Sequence, residues 1–323
     1  MLNQIYLVAE RGLPLEGMGW GARFDYLFGE DYLLAQSVGL ERNDDGSARW
    51  NNEYYGSAIP QAYVTLGNRD LNIQAGHFYS VVGFEGLMAP ANFFYSKSYS
   101  YQFAGPFTHW GAQTNWKATD NWTVQTGLHN GWDALDRTTD RMGFIGKLRY
   151  DSHETGAWTS FAITTGDETN NLAGLPINTE FTNRTRYSWI ASMPLTSKTE
   201  YVFHHWLGFQ ENGAAGGERA DWFGIDQYLF HQVNNRWRAG LRFEWFKDEE
   251  GTRVGLNRPS NPNHPPFVGN FYSTTLGLNY TPCDHFVLRP EVRLDWFDGN
   301  GQPFDDGSDD FQSMAGFDAI LSF

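Results

Sequence analysis

The chain has 323 residues, a formal net charge of -15, 17% aromatic residues, 35 glycines and a single cysteine, Cys283. That charge argues against nucleic acid as a partner, because phosphate binding needs a basic surface, and one cysteine excludes an internal disulfide framework and any multi-cysteine metal site. Mean hydropathy is -0.51, and no run of about 18 apolar residues exists, so no transmembrane helix is expected; a barrel hides its membrane signal by alternation and is compatible with such a value.

Alternation between turn residues predicts strands at 3–11, 18–28, 58–67, 70–80, 106–117, 121–131, 140–150, 157–166, 184–194, 197–210, 221–232, 236–247, 269–280, 285–297 and 311–323. Each is long enough for a tilted membrane crossing of roughly 9–11 residues. Met1 runs almost at once into the first strand, so no signal peptide is visible. Short connections, such as Gly67 to Asp70 and Val233 to Asn235, alternate with long ones at 29–57, 81–105, 131–139, 167–183, 211–220, 248–268 and 298–310. Short turns on one rim and long loops on the other are the outer-membrane arrangement. Counting back from a last strand that descends to the periplasm, 3–11 also descends, and an even number requires an ascending partner. The expectation is an all-β, transmembrane antiparallel β-barrel, one domain over 1–323, with about 15 strands here and about 16 in a parent that adds a first strand and a signal peptide. The competing count makes a brief extra strand of Tyr32 to Leu40.

Strand 236–247 assigns the faces. Trp237, Ala239, Leu241, Phe243 and Trp245 share one side, and Arg236, Arg238, Gly240, Arg242 and Glu244 the other. Strand 285–297 repeats this, with Phe286, Leu288, Val292, Leu294 and Trp296 against Arg289, Glu291, Arg293 and Asp295. An arginine facing the bilayer midplane costs about 2–4 kcal/mol, so the charged face is expected to line water. Centring the hairpins on Asn234 and Cys283 sets Arg242 opposite Asp226, Phe243 opposite Ile225, Leu278 opposite Leu288 and Tyr280 opposite Phe286. Pro290 is awkward within a strand and suggests a bulge. In the final strand Phe311, Ala315, Phe317, Ala319, Leu321 and Phe323 face one way, Gln312, Gly316 and Asp318 the other. A soluble β-sandwich would show the same alternation strand by strand, but not the asymmetry of turns and loops.

Three blocks, Gln74-Ala-Gly-His-Phe-Tyr-Ser-Val-Val-Gly-Phe-Glu85, Ala89-Pro-Ala-Asn-Phe-Phe-Tyr-Ser96 and Gly105-Pro-Phe-Thr-His-Trp-Gly111, resemble the OmpL-like outer-membrane β-barrel porins. Further matches, including Ala239-Gly-Leu-Arg-Phe-Glu-Trp245 and Leu288-Arg-Pro-Glu-Val-Arg-Leu-Asp-Trp296, extend the resemblance over nearly the whole chain. It implies a pore in the outer membrane.

The expected pore-lining residues are Arg23, Asp25, Lys147, Arg149, Arg186, Asp226, Arg238, Arg242, Glu244, Arg289, Glu291, Arg293 and Asp295. This wall leans basic, while the excess acid sits in loops such as 305–310. Rings of basic side chains favour anions; self-neutralising ladders that only stiffen the wall fit the pattern equally well. Segment 81–105 is too apolar and aromatic for a solvated loop. It is expected to fold inward as a constriction, with Glu85, Asn92, Tyr95, Lys97 and Tyr99 at the eyelet; the alternative is a loop packed over the rim or at a subunit contact.

His109 and His129 fall opposite each other about Thr119, both inward, but two imidazoles without a third ligand do not make a metal site. No nucleophile is singled out among the serines near His204 and His205. The reading is a channel for passive diffusion of small hydrophilic solutes, with no catalytic step, cofactor or metal. Its partners are outer-membrane lipids and those solutes; a homo-oligomer is compatible, and no feature sets its subunit count. The alternatives are a plugged adhesion or scaffold barrel and, behind it, a barrel hydrolase.

Overall fold

The computed structural model describes residues 1–43, 47–50, 54–135, 141–170, 178–254 and 267–323. Parts of the long loops 29–57, 131–139, 167–183 and 248–268 thus lie outside the described residues. The strands are β1 (Ile5–Arg11), β2 (Gly19–Gly29), β3 (Gly56–Gly67), β4 (Leu71–Tyr79), β5 (Thr108–Lys117), β6 (Trp122–His129), β7 (Gly143–Asp151), β8 (Trp158–Asn170), β9 (Asn178–Thr196), β10 (Thr199–Gln210), β11 (Ala220–Asn234), β12 (Trp237–Asp248), β13 (Gly269–Cys283), β14 (Phe286–Gly299) and β15 (Phe311–Leu321). They form one antiparallel sheet in chain order. Among the described residues no helix is long and apolar enough to cross a membrane.

Every predicted strand has its counterpart. Tyr32 to Leu40 adds none: it holds a 3-10 turn at Glu30–Leu34, and Val38 makes isolated bridges to Arg42 and Ala134. Strands β8 and β9 run beyond the expected 157–166 and 184–194, to Asn170 and from Asn178. Backbone pairing needs no apolar side chain once the chain has left hydrocarbon, so alternation understates strand length at that end.

The described residues group into two compact units. One comprises Met1–Val82, Gly105–Asp151 and Ser160–Glu168; the other Gly83–Ala104, Ser152–Thr159 and Thr169–Phe323. In each the faces sort as alternation predicts. Leu66 (60% exposed), Ile73 (54%), Leu276 (60%) and Phe317 (71%) stand outside, whereas Asp25, Arg242, Glu244 and Asp295 are fully buried. Large apolar side chains exposed along a whole face are what a hydrocarbon environment covers.

The hairpin registers differ from expectation by two residues. Arg242 pairs with Tyr228, not Asp226, and Asp226 with Glu244; Phe243 meets Gln227, and Ile225 meets Trp245. Likewise Tyr280 pairs with Leu288, not Phe286. Both turns carry an irregularity, at Gln232/Asn234 and at Tyr280/Cys283, that moves the centre of the hairpin. An even displacement keeps every side chain on its predicted face. Pro290 causes no register shift. The β13–β14 ladder is interrupted opposite Arg289 and Pro290, and resumes in the same register.

Candidate functional site: the charged face of β9–β15 and segment 83–104

Segment 83–104 packs onto the charged face of the second unit. It contains a 3-10 turn at Ala89–Ala91 and a short helix, α1 (Tyr99–Phe103), capped by Ser98, whose side chain accepts the Tyr101 amide. Neither is long enough to persist alone. The segment is held instead by wall side chains that bond its main chain. Glu291 accepts the amides of Tyr95 (2.8 Å) and Ser96 (3.0 Å), and Glu244 that of Tyr99 (2.6 Å). Arg289 Nη1 donates to the carbonyls of Ala89 (3.0 Å) and Asn92 (2.7 Å), and Arg293 Nη1 to that of Lys97 (2.8 Å). Arg253 donates to Phe103 O, Trp222 Nε1 to Ala104 O, and Ser100 Oγ to Asp226.

The centre of this network is Arg242. Its Nη1 reaches Glu85 Oε1 at 2.8 Å and the Ser96 carbonyl at 2.8 Å, while its Nε lies 2.8 Å from Glu244 Oε1 as a charge contact rather than an aligned hydrogen bond. Burial alone would raise the Glu85 carboxyl, but Arg242, Lys97 and the Ser98 amide hold it below its usual value. Arg293 pairs with Asp295 at 2.8 Å, and Arg289 takes Asp318 with both Nε (2.8 Å) and Nη2 (2.5 Å).

Apolar contacts complete the fit. Phe94 packs with Ile190, Val202, Tyr228 and Phe230, and with Phe84, Phe93 and Trp158 at the edge. Three consecutive aromatic residues of the segment each face a wall glycine. A Cβ on Gly240 would lie 2.3 Å from the Phe93 ring, one on Gly277 3.1 Å from Phe94, and one on Gly316 3.6 Å from Tyr95.

Of the thirteen residues expected to line water, nine are buried: Asp25, Arg186, Asp226, Arg242, Glu244, Arg289, Glu291, Arg293 and Asp295. Seven of these, all but Asp25 and Arg186, belong to the network beneath segment 83–104, so the same segment that they anchor shields them. Arg23, Lys147, Arg149 and Arg238 keep partial exposure, and three of them are paired: Arg23 with Asp25 (2.7 Å), Arg149 with Asp151 (2.7 Å) and Arg238 with Glu200 (3.1 Å). Within the segment, Asn92 ties the main chain at Gly86 and Met88, and Lys97 Nζ donates to Gly86 O at 2.6 Å. Tyr99 is buried against Phe246 and Phe271. Tyr95 is partly exposed.

A chain of bonds that alternation alone does not disclose joins Ser188 Oγ to His204 Nε2 (3.0 Å) and His204 Nδ1 to Asp226 Oδ2 (2.8 Å). These are the residue types of a hydrolytic triad. However, all three are buried, and Ser188 Oγ accepts the Gly83 amide at 3.2 Å, so here they fasten the start of the segment to β9–β11. In the first unit His129 pairs with Gly111 rather than with His109, two residues from the expected register, and the two imidazole rings lie 4.2 Å apart; His109 Nδ1 lies 3.0 Å from Gly131 O, and His129 Nε2 3.1 Å from Thr164. Among the described residues no group of three or more His, Cys, Asp or Glu side chains could hold a metal ion.

A family model described as "Putative beta-barrel porin-2, OmpL-like" matches residues 1–323. No curated protein matches the chain in sequence. Among solved structures the chain is similar to the outer membrane channel DcaP of Acinetobacter baumannii, with 15% identity, a TM-score of 0.64, and 98% of this chain and 84% of that one covered. It is also similar to Salmonella typhi OmpF in complex with daunomycin (10%, TM-score 0.59, 99% and 91% covered) and to an anion-selective porin from Comamonas acidovorans (10%, TM-score 0.56, 98% and 86%). At these identities the structures share the fold.

Proposed function

Because the chain belongs to the OmpL-like β-barrel porin family and is a porin-like channel of the outer membrane, we propose that it admits small hydrophilic solutes by passive diffusion and that segment 83–104 narrows its lumen. The observation that carries this reading is the docking of that segment on the charged side of β9–β15, through Glu291, Glu244, Arg242, Arg289 and Arg293. A charged face is excluded from hydrocarbon, so a segment bonded to it occupies the channel side. The family is one of channels, and no step here calls for a catalytic group. Outer-membrane lipids and the solutes are the partners this implies, and light scattering on the detergent-solubilised protein would give the subunit number.

Deleting Gly86 to Tyr101 is expected to raise single-channel conductance; unchanged conductance would contradict the constriction. The buried wall favours a second reading, a plugged barrel without transport. Liposome swelling with sugars of graded size separates the two, since a plugged barrel admits none.

The partly exposed Arg23, Lys147, Arg149 and Arg238 outnumber the exposed acids near them only slightly once their ion pairs are counted, so selectivity is expected to be weak and toward anions. Reversal potentials in a salt gradient read this directly, with cation preference as the contrary result.

A further inference from the structure

Three buried arginines of the second unit, Arg242, Arg289 and Arg293, each have a carboxylate within 2.8 Å. Arg186 on β9 is the exception. It is 2% exposed, and among the described residues its Nε and Nη2 have no acceptor. Removing the partner of a buried charge costs several kcal/mol in proteins, so a guanidinium kept in this state calls for an anion from elsewhere.

The geometry narrows what that anion is. Nε and Nη2 form the edge by which a guanidinium grips two oxygens of one group side by side. Arg289 uses this same edge on Asp318, with Nε to Oδ1 at 2.8 Å and Nη2 to Oδ2 at 2.5 Å. There is also room beside it. Gly83 has φ +98°, and a Cβ added there would meet nothing within 4 Å except Arg186 Nη2, at 3.8 Å. The Trp206 ring lies 6.0 Å from the guanidinium carbon. Asp226 opposes an anion: its Oδ2 is taken by His204 and Ser100, and its Oδ1 has no partner among the described residues.

We propose that Arg186, beside Gly83 at the start of segment 83–104, is a binding site for a small oxyanion presenting two oxygens on one edge, a carboxylate or a phosphate. This deepens the channel reading by naming a solute class that pauses at the base of the constriction. Chloride, a single sphere, cannot engage both donors with the same geometry.

The test is equilibrium binding of acetate and of inorganic phosphate to the folded protein in detergent, by titration calorimetry at constant ionic strength with chloride as the balancing anion. Saturable binding of either is expected, at least tenfold weaker in Arg186→Gln and also weakened in Arg186→Lys, which keeps the charge but not the fork. If Arg186→Gln does not fold, Arg186→Lys alone carries the comparison. Binding unchanged in the variants, or no binding beyond that of chloride, would overturn the site; the latter is the result if water bridges Arg186 to Asp226. Because the readout needs no ion flow, a protein that binds acetate but conducts nothing would refute the channel and keep the site, and the reverse holds for a conducting protein that binds neither anion.

Discussion

Two loop regions are fastened by different chemistry. In the second unit, segment 83–104 lies on the charged face and is gripped by arginines and glutamates. In the first unit, residues 30–42 are held differently: Ser37 Oγ lies 3.2 Å from His77 Nε2 and 3.3 Å from Thr108 Oγ1. Both are fully buried, as is Ala58 on β3. Glu41 accepts the amides of Ser37 (2.9 Å) and Ile59 (2.7 Å), and Asp133 those of Phe107 (3.0 Å) and Thr108 (2.8 Å). Segment 83–104 is fastened by buried arginines and glutamates that bond its main chain and by the Arg242–Glu85 ion pair, residues 30–42 by hydroxyls, an imidazole and a carboxyl bonded to amides. The two should therefore fail under different conditions.

The sharpest way to break the contrast is Arg242→Met, which leaves Glu85 and Glu244 buried without their shared cation. A loss of about 3–5 kcal/mol is expected, read by thermal unfolding in detergent and by trypsin cleavage at Lys97 once the segment lifts. The first unit's loops should keep their protease resistance; parallel exposure of both would mean that the fastenings are not separate.

A smaller effect comes from packing alone. Gly240→Leu forces a side chain into the Phe93 ring, whose nearest atom already lies 2.3 Å from an added Cβ. Such overpacking costs about 1–3 kcal/mol. Gly277→Ala, whose added Cβ would lie 3.1 Å from the Phe94 ring, a tight contact that a shift of a few tenths of an ångström relieves, should cost less, and equal losses in the two variants would contradict a recess fitted to Phe93.

The mildest probe is pH. Burial outweighs the Thr108 amide, the Arg42 charge and the Phe107 amide and pushes Asp133 up from 3.8 to about 6. Burial likewise raises Glu41. A carboxyl raised in the folded state contributes stability that is complete below its ordinary value and lost as pH rises through the folded one. Acidification from pH 7 to 5 should therefore tighten the first unit's loops, by on the order of 1 kcal/mol. Glu85 is lowered, so its contribution holds above 4.5 and is lost only below that. The protection factor for hydrogen exchange, which removes the intrinsic pH dependence, should rise at the Thr108 amide over this range while that at the Ser98 amide, bonded to Glu85, does not change, and Asp133→Asn should flatten the response. A matching change at both amides would remove the distinction.

Strand positions were legible because alternation is local: Trp237 to Trp245 declares its faces without reference to any other strand. The two-residue error at both hairpins was not correctable from pattern, since the irregularities at Gln232/Asn234 and Tyr280/Cys283 preserve parity and leave every face assignment intact. The apolar character of 81–105 announced a buried segment. Its partners, 105 to 200 residues away in the chain, carry no local mark. For the same reason the shielding of Arg242 and Glu244 was not foreseen: charge on a strand face says that water or a counter-charge lies opposite, but not which. Ser188, His204 and Asp226 sit on three strands, at separations of 16 and 22 residues, and only the sheet brings them together. The bonding of Ser37 to His77 was hidden too, because alternation marks the face of a strand but not what covers its end.

Gly240, Gly277 and Gly316 form a mould defined by what is missing. Phe93, Phe94 and Tyr95 enter it in succession, so how far the segment stands off from the wall is decided by the depth of that cast rather than by the strength of the ionic clasps around it. Relatives with bulkier residues at these three places would carry a thicker insert over an unchanged set of strands, and the same wall would then leave a different gauge.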